Sequence, residues 1–164
     1  MSRTTPLLYY DLFVVPNFED YIARANDIRL AFNACVPAAQ QADIMFAYYR
    51  REDRSKISRW GSLKALHIDL CKREPSFVTI LSIAAAYKHL HARGTHYDIS
   101  TGGSLDYFRS PKTGDLTSSW EREGETTWRP DIIVNKLDGS KASLTQALTA
   151  VVRNLWPSVL PPET

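Results

Sequence analysis

Apolar residues recur with a helical period through most of the first ninety positions, and that pattern sets the reading of the chain. Phe18, Tyr21, Ile22, Ala25, Ile28, Phe32 and Cys35 fall on one face, with Glu19, Arg24, Asn26 and Arg29 opposite. The spacing predicts an amphipathic helix from about Phe18 to Cys35. Asn17 is its expected cap, with Asp20 in the first turn. The preceding Tyr9–Val15 is aromatic and β-branched and stops at Pro16, so it reads as a short strand or extended lead-in. Pro37 lacks an amide hydrogen, which predicts a kink or a new helix there. Ala38, Ala42, Met45 and Tyr49 then form the stripe of a second helix ending near Arg51. Ile57, Trp60, Leu63, Leu66 and Leu70 predict a third helix over about Ser58–Lys72.

The fourth helix carries its own signals. It starts at Pro75, a favourable first-turn position, and stops at Gly94. Phe77, Ile80, Leu81, Ala84, Ala85 and Lys88 recur along it. Beyond it the period changes. Thr, Tyr, Trp, Gly and Ser dominate, and His96–Phe108, Ser118–Arg129 and Asp131–Leu137 read as strands. Pro111 and Lys112-Thr113-Gly114-Asp115 mark one turn, and Asp138-Gly139 another. Ser143 and Gln146 form a capping box that opens a last helix, with Leu144, Ala147, Leu148, Val151, Val152 and Leu155 inward. Pro157, Pro161 and Pro162 are expected to leave the tail non-helical.

The expected fold class is therefore α+β: an N-terminal bundle of about four helices (about 17–94), then a small antiparallel sheet of about three strands and a C-terminal helix (about 96–156). A length of 164 residues suits one domain over 1–164. Apolar residues at 44% and charged residues at 23% are ordinary for a globular chain, and no run is long enough for a membrane helix. The N-terminus contains Asp11 and no small-residue cleavage site, so no signal peptide is expected there. Two cysteines, Cys35 and Cys71, do not make a disulfide framework, which implies a reducing, cytoplasmic setting.

The net charge of +2 does not by itself suggest a nucleic-acid partner, but the distribution changes that picture. Arg50 to Arg73 holds eight cations against three acids. Arg50, Arg51, Arg54, Lys56 and Arg59 are the candidates for contacting nucleic acid or phosphate. A solvated helix face is the competing explanation. A second cluster, Lys88, His89, His91, Arg93 and His96, ends the fourth helix. Cations are favoured at a helix carbonyl end without any function. Read functionally, His89, His91, Arg93 and His96 are acid–base or phosphate-contacting candidates.

His67 and Cys71, four apart on one helix, have a spacing that can hold metal, with His96 and one of His89 or His91 to complete a site, but a small core cysteine beside a boundary histidine explains them better. No resident metal or cofactor is expected. Tyr97, Tyr107, Trp120 and Trp128 could line an aromatic pocket between sheet and helices. Glu121, Glu123 and Glu125 alternate along one face and read as edge-strand charges. Serine-nucleophile, phosphate-loop and dinucleotide-binding patterns are absent.

The helical layout over Phe18–Arg93, with the Lys88-His89 pair closing its fourth helix, resembles the HEPN-type helical bundles of bacterial defence and toxin systems. Active members of that family cut RNA with an Arg followed four to six residues later by His. Here two residues separate Arg93 from His96, and seven separate Arg59 from His67. No catalytic residue carries over, so the resemblance implies a binding or inactive relative. The expected function is a soluble bacterial-type interaction or binding protein, with a protein partner or a second copy of itself. RNA binding or cleavage through Lys88–His96 and small-molecule binding in the aromatic pocket are the alternatives.

Overall fold

The computed structural model describes residues 4–89, 105–107 and 130–162. Five helical segments and one small sheet make an α+β architecture. The first helix, α1, spans 6–23 as Pro6–Tyr9, a π-helical Tyr10–Val14 and Val15–Ala23. Helix α2 is Ile28–Glu52, α3 is Leu63–Arg73 and α4 is Ser76–His89. Strands β1 (Leu105–Tyr107), β2 (Ile132–Asn135) and β3 (Lys141–Ser143) form one antiparallel sheet in the order β1-β2-β3. Helix α5 spans 144–159 as Leu144–Thr149, a π-helical Ala150–Leu155 and Trp156–Val159.

Three expectations at the front of the chain are corrected. Tyr9–Val15 is helical, not extended. Thr5 caps the start by accepting from the Leu8 amide at 3.1 Å, with Pro6 following it. The buried residues Tyr10, Val14, Phe18 and Tyr21 then form one stripe whose burial outweighs β-branched propensity. Asn17 is no cap: it lies inside α1, and its Nδ2 donates to the Phe13 carbonyl at 2.7 Å. The expected Phe18–Cys35 helix is broken at 24–27. Asp27 accepts from the Arg29 and Leu30 amides at 3.0 and 3.2 Å and starts α2, which folds back along α1.

Pro37, in contrast, breaks nothing. Leu30, Ala31, Ala34 and Cys35 before it, and Ala38, Ala42, Met45 and Tyr49 after it, are all buried in one core. The proline costs about 3 kcal/mol in a helix interior. Two or three buried large side chains at about 1.5–3 kcal/mol each offset that. The third helix starts later than its stripe suggests. Arg54–Ile57 is a 3-10 turn capped by Asp53, and α3 begins only at Leu63, where the Ser62 hydroxyl accepts from the Ala65 amide at 3.1 Å. On α4 the buried stripe is Phe77, Ile80, Ile83 and Ala86, while Leu81 and Ala84 are partly covered. Its last described residue is His89, and the expected stop at Gly94 lies outside the described residues.

The C-terminal helix also continues through a proline, against expectation. In its π-helical turn the Trp156 amide donates to the Val151 carbonyl, and Pro157 has no amide to offer Val152. The Val152 carbonyl is bonded instead by the Tyr10 hydroxyl of α1 at 2.8 Å. The widened turn and the proline thus leave an acceptor that another helix satisfies, as burial requires. Trp156 is fully buried. Its Nε1 donates to the Ala38 carbonyl at 3.1 Å, and its ring meets Phe77 edge-on at 5.5 Å, so one side chain joins α5, α2 and α4.

The sheet closes on the last helix. Leu105 pairs with Val134 and Tyr107 with Ile132; Ile133 pairs with Ser143 and Asn135 with Lys141. Ile132 and Val134 join the main core. Gly139, at φ 83°, makes the β2–β3 turn, and the Asp138 carboxylate accepts from the Ser140 amide and hydroxyl. Of the expected strands, Asp131–Leu137 matches β2 within its ends and His96–Phe108 contains β1. Ser118–Arg129, the 111–115 turn and the glutamate row lie outside the described residues.

Asp131 ties these parts together. Its carboxylate accepts from the Ile132 and Thr145 amides (2.8 and 3.1 Å) and from the Thr145 (2.7 Å), Tyr21 (3.3 Å) and Ser143 hydroxyls. Burial, with the Asp131 charge second, pushes the Tyr21 phenol well above its ordinary value, so it serves as a donor. Replacing Asp131 by Ala strands several donors, and we expect a loss of about 3 kcal/mol in stability. Asp131→Asn, which keeps one acceptor, is expected to lose roughly half as much. Urea unfolding of the two variants tests this, and equal, negligible losses would refute it.

Candidate functional site

Part of the basic Arg50–Arg73 segment, namely Arg50, Arg51 and Arg54, lines one groove. Its wall is the C-terminal part of α2, where Asp43, Phe46, Ala47, Arg50 and Arg51 line the opening. Arg54, Ile57, Ser58, Trp60, Gly61, Ser62 and Leu63 close the other side as the chain turns back toward α3. The groove is open to solvent and holds about 900 Å³.

Local structure explains why this turn holds its shape. Ile57 and Trp60 are buried and anchor it to the core. The Trp60 Nε1 donates to the Asp69 carboxylate at 2.9 Å, and the Arg73 Nε donates to the same oxygen at 2.9 Å. The Arg59 guanidinium lies 3.9 Å from the Trp60 ring centroid, and the Lys56 ammonium 5.2 Å from the Tyr49 ring. Asp53 accepts from the Ser55 amide and hydroxyl, and the Arg54 Nε donates to the Arg50 carbonyl at 3.2 Å. Hydrogen bonding from Trp60 first, then the Arg73 contact, holds the Asp69 carboxyl below its ordinary value.

Of the four charged side chains in the lining, three are arginines. Arg50, Arg51 and Arg54 are exposed, and none has an ion-pair partner among the described residues. Arg50 and Arg51 sit at the carbonyl end of α2, which favours cations. Opposite them is the amide end of α3, behind its Ser62 cap. The neighbouring acids are occupied: Asp69 by Trp60 and Arg73, and Asp53 by its own turn. Asp43 is the one carboxylate in the lining, and its Oδ1 meets the His67 Nε2 at 3.1 Å.

The other sequence candidates are placed as follows. Of the five basic candidates, Arg50, Arg51 and Arg54 line the groove, while Lys56 and Arg59 lie on the adjoining aromatic rings. His89 ends α4, while His91, Arg93 and His96 lie outside the described residues. Tyr107 is in β1, and Tyr97, Trp120 and Trp128 lie outside. His67 is engaged with Asp43 and edge-on to Phe77, and Cys71 is half-buried on α3. Among the described residues no three His, Cys, Asp or Glu side chains converge as a metal site. The part that sequence reasoning missed is Asp43. It belongs to the α2 stripe's solvent side, and only folding sets it against His67, twenty-four positions on.

Comparison with family models, curated proteins and solved structures finds no match to this chain.

The Asp69 linkage has a definite sign. A carboxyl whose folded value is depressed adds stability above its unfolded value, near pH 4, and loses it as pH falls through the folded value. Asp69→Asn is therefore expected to be destabilising at pH 7, with the gap from wild type closing below about pH 4. Urea midpoints of both proteins measured from pH 7 to pH 2.5 check this; a gap independent of pH would count against it.

Proposed function

We propose that this is a binding protein whose α2–α3 groove takes the phosphate of an anionic partner. The observation that carries the reading is the convergence of Arg50, Arg51 and Arg54, without carboxylate partners among the described residues, on one groove. Arginine suits this role because its planar fork pairs two oxygens of a phosphate. The amide end of α3 adds fixed partial charge of the same sign. A merely solvated basic face would have no need of the Trp60–Asp69–Arg73 brace that shapes the turn.

The reading is non-catalytic and keeps the kinship with HEPN-type bundles as a proposal, supported by four helical segments over 6–89. A cytoplasmic setting is proposed as well. Its support is that Cys35, buried on α2, and Cys71, half-buried on α3, are not joined in a disulfide. No described helix is long and apolar enough to cross a membrane.

Titration calorimetry with inorganic pyrophosphate tests the groove. Wild type is expected to bind, more weakly as salt rises. An R50A/R51A/R54A variant is expected to bind at least about tenfold more weakly, given roughly 1.5–3 kcal/mol for each charged hydrogen bond. These side chains are exposed, so circular dichroism should be unchanged. Equal binding by the variant, or none by wild type, rejects the reading.

A further inference from the structure

The groove is graded along its length. Asp43 stands at one end of the α2 wall and Arg50 two turns further on, about 10 Å along the axis. Arg51 and Arg54 continue the cationic end. Between Asp43 and Arg50 the α2 wall presents Phe46 and Ala47, and the facing segment contributes apolar Ile57, Trp60 and Leu63 beside Ser58, Gly61 and Ser62. Trp60 is buried beneath the Arg59 guanidinium and serves as wall, whereas Phe46 is only partly covered and offers a ring to a ligand.

Asp43 does not fit a site for phosphate alone, because its charge opposes an anion. It is held in place nonetheless. His67 fixes Oδ1 at 3.1 Å, and His67 is itself braced edge-on by buried Phe77. Among the described residues Oδ2 has no partner, and the side chain keeps about half its exposure (54%). A fixed carboxylate with a free oxygen is an acceptor for N–H donors. The ligand that satisfies both ends carries phosphate at one, a flat apolar body in the middle and N–H donors at the other.

Resting on the phosphate-groove reading, we infer that the occupant is a nucleotide whose base turns adjacent N–H groups to Asp43, as a guanine edge does. The phosphate lies on Arg50, Arg51 and Arg54, and the base packs on Phe46. A guanine presents an imino and an amino hydrogen side by side, which suits a carboxylate. Uracil offers one N–H flanked by two carbonyl oxygens, which the same carboxylate repels. The groove volume of about 900 Å³ accommodates such a ligand.

Calorimetric titration of the full chain with guanosine 5′-monophosphate, uridine 5′-monophosphate and inorganic phosphate tests this. The guanosine nucleotide is expected to bind at least tenfold more tightly than either of the others. Asp43→Asn is expected to weaken guanosine nucleotide binding about tenfold while leaving phosphate binding unchanged or stronger, since a negative charge is removed. Phe46→Ala is expected to lower affinity for both nucleotides and not for phosphate. Equal affinity for the two nucleotides, or an Asp43→Asn variant that binds the guanosine nucleotide as well as wild type, overturns the base assignment and leaves the phosphate groove standing. Absence of binding to all three ligands removes both.

Discussion

The fold depends on α2 remaining one continuous helix through Pro37. At 1.5 Å per residue its twenty-five residues span about 38 Å. One face of it, from Leu30 to Tyr49, is core packed by α1, α4 and α5, while Asp43, Phe46, Ala47, Arg50 and Arg51 on its C-terminal half form the groove wall. A break at Pro37 would uncouple the groove wall from the N-terminal half of the helix. Burial on both sides of the proline prevents that break, and Trp156 reinforces the same stretch by donating to the Ala38 carbonyl.

Two unusual helices are coupled to α2. Both α1 and α5 contain a π-helical turn followed, two residues on, by proline, at Val14–Pro16 and Leu155–Pro157. A widened turn ahead of a proline frees carbonyls, and a buried free carbonyl needs a donor. The Tyr10 hydroxyl supplies one to Val152, so one helix's irregularity is completed by the other. Asp131 performs the complementary task where the sheet meets α1 and α5. It gathers donors from α1, β2 and the start of α5 into one carboxylate. Removing either contact leaves polar groups buried without partners, which is dearer than the contact itself is favourable.

The groove follows from the same economy of anchors. Its charged residues are exposed and contribute little to stability, while Ile57, Trp60 and the shared Asp69 oxygen fix the turn that presents them. Rigid support beneath solvated arginines is what separates a place where an anion can be held from a merely basic surface. The Asp43–His67 pair adds a second polarity to that surface at its far end.

Much of this was legible along the chain. Helical periodicity marked the bundle, Ser143 with Gln146 marked the last helix start, and Asp138-Gly139 marked the turn after β2. These are local signals, set by spacing, caps and turn chemistry within a few residues. What local signals misjudged were Tyr9–Val15 and Pro157, each helical against its own propensity, while Pro37 opens no new helix. Propensity differences of about 1 kcal/mol, and even a proline's roughly 3, yield to burial of several large side chains. The break at 24–27 and the late start of α3 were likewise decided by which residues reach the core. Asp43 facing His67, Tyr10 meeting Val152 and Asp131 gathering Tyr21 are contacts between residues 24, 142 and 110 positions apart. No pattern along a single chain encodes such pairings, because they exist only once the helices have docked.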